Sequence, residues 1–307
     1  MRTRRIGSLE VSVIGLGCNN FGGRIDAEKS ADVVFAALDN GITFFDTADI
    51  YGGTKSEEFL GQALGKRRDE VVVATKFGMQ VDKERRGAKP EYVKRALNDS
   101  LGRLGTDRVD LYILHAPDAD TPIADTLAAL DDCVKAGKVR EIGCSNFSAE
   151  QLRQAAAAVA PGAARFVCVQ NEYSLVQREP EREVLAECRR QGISFVPYFP
   201  LASGLLTGKY KRGEQPPAGT RLSGMPAERV AALDEKLVVV ERLTAFAEKK
   251  GHTVLELAMS WLLAHDEVAS VIAGATSRAQ VEANAAAGDW VLDEAEMREV
   301  DALAAAL

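Results

Sequence analysis

At 307 residues the chain exceeds the roughly 100–200 of a usual globular domain, yet α/β barrels commonly run to about 250 or more as one unit, so a single domain spanning 1–307 is expected. Hydrophobic residues at 46% and charged residues at 27% suit a soluble protein with a substantial core, and a net charge of −7 argues against a nucleic-acid surface. No apolar run approaches the roughly 20 residues of a membrane helix, and MRTRRIGSLEVSVIG lacks a signal-peptide core, so a cytoplasmic location without a membrane partner is expected.

RTRRIGSLEVSVIG reads as a small hairpin whose second arm runs into the first strand and can plug the bottom of a barrel. Short β-branched runs then alternate with amphipathic helical stretches, the pattern of βα units and a parallel sheet. The strand candidates are VSVIGLG, ITFFDTA, EVVVATK, VDLYILH, VREIGCS, RFVCVQN, ISFVPYF and ASVIAG, and eight is the number that closes a barrel. Helical segments between them include EEFLGQALGK, EYVKRALNDSLGRLG, TLAALDDCVKAGK, EREVLAECRRQG and VERLTAFAEKKG, several ending on glycine, which suits a left-handed helix stop. The expected fold is α/β, a (β/α)8 TIM barrel with an N-terminal β-hairpin closing the bottom.

Two loops stand out. The stretch 207–235, with Pro216, Pro217, Gly219, Gly224 and Pro226, is too long and broken for an ordinary connection. It follows the seventh strand, at the expected active-site face, and reads as a substrate-covering loop. The Lys- and Arg-rich stretch 77–90 is a second candidate wall. GLGCNNFGG fails as a dinucleotide fingerprint, because Asn20 stands where GxGxxG from Gly15 requires glycine. Any nicotinamide cofactor must be held another way.

Cys18, Cys133, Cys144, Cys168 and Cys188 form no CxxC pair and are odd in number, so they read as reduced and mostly buried. The three histidines show no HExxH or HxH spacing, and no metal is expected.

Four polar residues carry the chemistry. Asp46 in FFDTA, Tyr51 in DIYGG, Lys76 in VVVATKFG and His115 in LYILHAP each follow or close a buried-strand run. In a parallel barrel the C-terminal strand ends meet at one mouth. A phenol has a reference pKa of about 10, so a neighbouring ammonium that favours the phenolate eases proton transfer. Lys76 can be that ammonium, and Asp46 can supply the counter-charge a buried lysine needs. His115 can then donate to, or orient, a carbonyl oxygen that receives the proton of Tyr51. Each residue alone has a plainer reading: Asp46 as a helix cap, Tyr51 as a packed aromatic, Lys76 as a solvated strand end, His115 as a satisfied barrel histidine. Their joint placement after strands two, three and four argues for a site.

In FDTADIYGGTKSEEFLG, VVVATKFG and LYILHAPD the chain resembles the aldo-keto reductases, from about Ile14 to about Asn284. GKVREIGCSNFS, VQNEYSL and PYFPLASGLLTGKY match that family in order. The resemblance implies an NAD(P)H-dependent oxidoreductase that reversibly reduces an aldehyde or ketone, a small-molecule carbonyl substrate, to an alcohol. Tyr51 is then the general acid, tuned by Lys76 and Asp46, with His115 positioning the carbonyl. It also implies NADPH/NADP as cofactor, with NADH as an alternative. Ser145, Asn146 and Gln170 match the positions that bind the nicotinamide carboxamide, and Tyr198 matches the ring that stacks on it. Leu201, Ser203, Lys209, Gly274, Thr276, Ser277, Arg278, Gln280 and Asn284 match the remaining cofactor contacts. GATSRAQVEAN would place a helix start against a phosphate, as free amides and the helix dipole favour.

The chain departs from the family in several places. Lysine or arginine is common at the positions of Gly274 and Gln280, whereas here the nearby cation is Arg278, the expected partner of a 2′-phosphate. Ala116 replaces an aromatic common after the histidine, and Phe199 replaces a commoner serine. Phe21 and Phe77 are expected on the substrate pocket, with a weaker case for Trp290. Two other readings compete. One is a cofactor-binding regulatory subunit, since potassium-channel beta subunits resemble this fold. The other is a barrel enzyme acting on phosphorylated sugars, which would show a phosphate site without nicotinamide specificity. Nothing in the sequence assigns an oligomeric state.

Overall fold

The computed structural model describes residues 1–305. β1 (Thr3–Ile6) and β2 (Leu9–Ser12) form the antiparallel hairpin, with Ile6 opposite Leu9 across a turn at Gly7, whose φ is +56°. Ile6, Leu9 and Val11 are at most 1% exposed and join Phe44, Val72, Leu111, Ile113 and Val196 in the barrel interior. Each such side chain removed from water stabilises the fold by about 1.5–3 kcal/mol. The Ser8 N–H donates to Glu141 Oε1 at 2.8 Å and the Ser194 hydroxyl to the Arg5 carbonyl at 2.9 Å, which fastens the hairpin across the N-terminal strand ends.

Eight parallel strands make the barrel: β3 (Ile14–Gly17), β4 (Phe44–Asp46), β5 (Val72–Phe77), β6 (Val109–Leu114), β7 (Val139–Ser145), β8 (Phe166–Gln170), β9 (Ser194–Phe195) and β10 (Val271–Gly274). Their order is β10-β3-β4-β5-β6-β7-β8-β9. The ring is completed where Phe195 bridges Val268, with the Ala269 N–H donating to the Phe195 carbonyl at 3.0 Å. The first predicted strand divides at Val13, its start belonging to β2 and its end to β3. Only two residues of the seventh, ISFVPYF, pair as a strand, because Pro197 has no N–H for a ladder.

Helices α1 (Ala27–Asp39), α2 (Lys55–Leu64), α3 (Pro90–Leu104), α4 (Ile123–Lys135), α5 (Ala149–Ala158) and α6 (Val184–Gln191) each follow one strand, from β3 to β8. Asp26 caps α1, and a Ser148–Gln151 capping box starts α5. Gly105 and Gly192, both at φ +64°, end α3 and α6 as the glycine spacing predicts. After β9 come α7 (Ala227–Ala231), α8 (Asp234–Lys249) and α9 (Val254–Leu263), and after β10 come α10 (Arg278–Ala286) and α11 (Glu294–Ala304).

α7, which lies inside the stretch 207–235 expected as loop, α9 and α11 are additions to the expected elements. Eight of the ten residues of α9 are buried, so it presents no one-sided apolar stripe from which to recognise it. The Trp261 indole on α9 donates to Asp301 on α11 at 3.0 Å, and the Arg4 guanidinium donates to the carbonyls of Leu263, at the end of α9, and of His265 and Val268 beyond it. Hairpin and final crossover are thereby tied together. Among the described residues no helix is long and apolar enough to cross a membrane.

Candidate active site

Strand alternation builds the site. In β5, Val72, Ala74 and Lys76 face the interior while Val73, Thr75 and Phe77 face the helices, since successive side chains point to opposite faces. The same rule carries Phe44 to Asp46, Ile113 to His115, Gly143 to Ser145, Cys168 to Gln170, Val196 to Tyr198 and Ile272 to Gly274. Apolar residues fill the lower interior, and the next inward position on each strand is polar or small. These upper positions line one cavity of about 770 Å³.

The four catalytic candidates converge at its inner end. Lys76 Nζ forms an ion pair with Asp46 Oδ1, donates to the Thr47 carbonyl at 3.0 Å and lies 3.4 Å from the Tyr51 hydroxyl. The Tyr51 and His115 rings meet edge to face with centroids 5.8 Å apart. Burial disfavours the Lys76 ammonium, but Asp46 and then Tyr51 outweigh it, and its pKa is raised. Burial raises the Tyr51 pKa above its usual 10; Lys76 pulls it down and Asp46 pushes it up, leaving a phenol that keeps its proton at neutral pH. For His115, burial and then the Lys76 charge press the pKa down to about 3, so the imidazole is neutral. Its Nδ1 is enclosed without a partner, which favours the tautomer with the N–H on Nε2, the nitrogen open to the cavity.

Around this centre the amides form a rigid frame. Asn146, in a left-handed conformation at φ +62°, donates to the His115 carbonyl at 2.8 Å and accepts from the Tyr198 hydroxyl at 2.7 Å. The Ser145 hydroxyl donates to the Gln170 carbonyl at 2.8 Å, and Gln170 Nε2 donates to Asp46 Oδ2 at 2.8 Å. Leu201, Ser203, Lys209, Gly274, Thr276, Gln280 and Asn284 also line the cavity, which therefore runs from the Lys76 centre to the start of α10. A Cβ at Gly274 would lie 2.9 Å from Asn19 Oδ1, so glycine keeps that end of the cavity open.

Several expected residues lie elsewhere. Phe77 is wholly buried against Tyr112, ring centroids 4.6 Å apart, because it is one residue out of phase with inward-facing Lys76. Phe21 is also wholly buried and does not line the cavity; its carbonyl lies where a Cβ on Gly52 would stand, 2.1 Å away, so it supports the turn that carries Tyr51. Trp290 stacks on His252 with centroids 4.0 Å apart, away from the cavity. Ser277 caps α10. Arg278 is exposed and paired with Asp32 at 3.0 Å and Asp39 at 2.9 Å, which ties α10 to α1 and turns its guanidinium from the cavity.

Conversely, the cavity recruits Asn19, Asn20 and Arg24 from the loop after β3, and Phe199, Thr220 and Arg221 from the segments after β9. Among the described residues Arg24, Lys209 and Arg221 have no acidic partner, and Arg221 sits 5.1 Å over the Phe199 ring. Burial and then the neighbouring Arg24 charge lower the Arg221 pKa. The long loop 207–235 thus contributes part of the wall, through Lys209, Gly219, Thr220 and Arg221.

Behind Tyr51 lies a further buried acid. Asp49 is 2% exposed, and neither oxygen has a well-formed hydrogen bond, the Ile50 N–H and Tyr92 hydroxyl being only weak donors. Burial, then the like charge of Glu57, raise its pKa from 3.8 to about 7 against the pull of Arg103. The folded protein therefore keeps a proton that the unfolded chain releases, and this group's contribution to stability declines as pH rises from 3.8 to about 7. Asp49→Asn is expected to flatten that decline, worth up to about 1.4 kcal/mol per pH unit, and to be more stable than wild type at pH about 8. Urea unfolding at several pH values checks this; an unchanged slope overturns it.

The Aldo/keto reductase family model matches residues 13–305. The chain is 36% identical over 310 residues to the NADP(+) aldo-keto reductase yakc of Schizosaccharomyces pombe, covering 97% of this chain and 90% of the relative. It is 35% identical over 300 residues to a probable aldo-keto reductase of Glycine max, covering 95% of this chain and 85% of the relative. A solved glycerol dehydrogenase from Gluconobacter oxydans superposes with a TM-score of 0.86 at 30% identity, covering 99% of this chain and 95% of the other. With the match running from the foot of the barrel to the end of α11, and with such relatives along nearly the whole length, this chain belongs to the aldo/keto reductase family.

Proposed function

We propose that the protein uses NADPH to reduce an aldehyde or ketone to an alcohol, and that the same groups run the reverse oxidation. The observation that carries this reading is Lys76, almost wholly buried, ion-paired with Asp46 and 3.4 Å from the Tyr51 hydroxyl at the inner end of a long cavity. The cavity fits a dinucleotide: an amide-rich inner end, a flat aromatic face, three cations without an acidic partner among the described residues and a helix start at the far end. When bound, the nicotinamide supplies the hydride.

The chain's own residues handle the proton and the orientation. Tyr51 holds the proton at neutral pH, and the nearby ammonium makes its release to a developing alkoxide less costly. Asp46 keeps Lys76 charged. Neutral His115 offers an N–H to the carbonyl oxygen without adding a second positive charge beside Lys76. Tyr198, pinned through its hydroxyl to Asn146, presents a ring face for stacking, and Ser145, Asn146 and Gln170 would bind the carboxamide. Arg24, Lys209 and Arg221 would hold the diphosphate, because like charges brought together are relieved by an anion between them. NADP(+) in the name of the fission-yeast relative supports the phosphorylated cofactor.

A cytoplasmic setting is part of the proposal, supported by five buried free cysteines. Fluorescence titration with NADPH and NADH, followed by a screen of carbonyls, tests it. NADPH is expected to bind more tightly, and Arg221→Ala to weaken both dinucleotides about tenfold or more, the scale of one charged hydrogen bond. Absence of saturable binding, or of turnover with any aldehyde or ketone, rejects the reading.

A further inference from the structure

We propose that Gln170 is a positioning residue for proton transfer, acting on Tyr51 through Asp46 and Lys76. This rests on the reading of Tyr51 as proton donor. Family resemblance assigns Gln170 to the cofactor alone, whereas here its side chain reaches the carboxylate beneath the catalytic lysine.

The Asp46 carboxylate is 4% exposed, and a buried carboxylate is costly unless donors reach it. Among the described residues two side chains supply them: Lys76 on Oδ1 and Gln170 Nε2 on Oδ2, at 2.8 Å. Gln170 is itself immobilised. It is 1% exposed, and its backbone carbonyl accepts from the Ser145 hydroxyl at 2.8 Å and the Asn146 N–H at 2.9 Å. β8 therefore holds Asp46 from across the barrel, and the carboxylate is left with one oxygen for Lys76.

An amide has one donor end and one acceptor end. With one N–H of its NH2 committed to Asp46, Gln170 keeps its Oε1 as an acceptor for a carboxamide N–H. Accepting there polarises the amide and strengthens its donation to Asp46, since linked hydrogen bonds reinforce one another. Docking of the carboxamide is thus coupled to the acid by the chain Gln170, Asp46, Lys76, Tyr51.

The sign of the coupling follows from charge. Asp46 pushes the Tyr51 pKa up, and a donor on Oδ2 disperses that negative charge. The titratable groups around Tyr51 are Lys76 from β5, Asp46 from β4, His115 after β6, Cys18 after β3 and Tyr198 after β9. Gln170 donates to Asp46 alone of these. Losing the donor should make Tyr51 hold its proton more firmly, and a carboxylate in its place more so.

Gln170→Leu and the isosteric Gln170→Glu test this. In cofactor-free protein, tyrosinate absorbance is titrated and the Tyr51 step isolated as the part missing from Tyr51→Phe. It is expected to move up by about one pH unit in Gln170→Leu and further in Gln170→Glu. Turnover at neutral pH should fall about tenfold in both. In Gln170→Glu it should return toward wild type on acidification, where the protonated glutamate again donates to Asp46, while Gln170→Leu stays low. A Tyr51 step unmoved in both, with only weaker cofactor binding, overturns the proposal. Should Gln170→Leu not fold, the glutamate variant decides alone by the same criterion. Failure of the parent reading looks different: wild type then reduces no carbonyl, while the cofactor-free titration still reports the coupling.

Discussion

Tyr51→Phe is expected to lower carbonyl reduction by at least about two orders of magnitude, the usual scale for a positioned acid, with cofactor affinity within a few-fold of wild type. The lost hydroxyl is the proton source, whereas the amide frame of Ser145, Asn146 and Gln170 and the cations Arg24, Lys209 and Arg221 stay in place. Fold stability should change little, because the ring edge against His115 remains and the hydroxyl's contact with Lys76 is long at 3.4 Å. Single-turnover reduction of an unactivated ketone, beside a fluorescence titration of NADPH, separates the two effects. Near-normal turnover with normal binding would remove Tyr51 from the role of acid.

Lys76→Met is expected to damage both chemistry and fold. The ammonium is 2% exposed and is the cation facing Asp46, so its removal leaves a buried carboxylate supported by Gln170 alone. Breaking a buried pair from one side costs about 3–5 kcal/mol. Tyr51 loses its main pKa-lowering neighbour, so turnover should fall by about two orders of magnitude and the alkaline limb of residual activity should move upward. The double variant Lys76→Met with Asp46→Asn separates the two losses. Removing both charges should restore much of the stability, read by urea unfolding, without restoring turnover. If the single variant keeps both rate and pH profile, the coupling of Lys76 to Tyr51 is wrong.

Much of this centre was legible before any coordinates. Period-two alternation is a local property of a strand, and the inward row of each ends on the informative residue: Phe44 then Asp46, Ala74 then Lys76, Ile113 then His115, Cys168 then Gln170. The same alternation, applied one residue further, excludes Phe77, which leans on Tyr112 outside the barrel. The hairpin plug was readable for the same reason, because Ile6, Leu9 and Val11 are apolar residues that an edge ribbon must bury. α9 was not, since a helix buried on all sides carries no period.

The amino-acid sequence by itself determined the barrel, the convergence of four strand ends on one mouth, and the acid, cation and counter-charge placed there. Each follows from spacing within a few residues and from the single geometry by which eight parallel strands close. Only the tertiary structure decided which polar groups meet across the chain. Gln170 reaches Asp46 over 124 residues, and Arg278 turns to Asp32 over 246 instead of facing the cavity. Arg24 and Arg221, from loops without a period, line the cavity, which Arg278 does not. Such pairings depend on where irregular backbone comes to rest and on which charge finds a counter-charge first, and no repeat in the sequence records either.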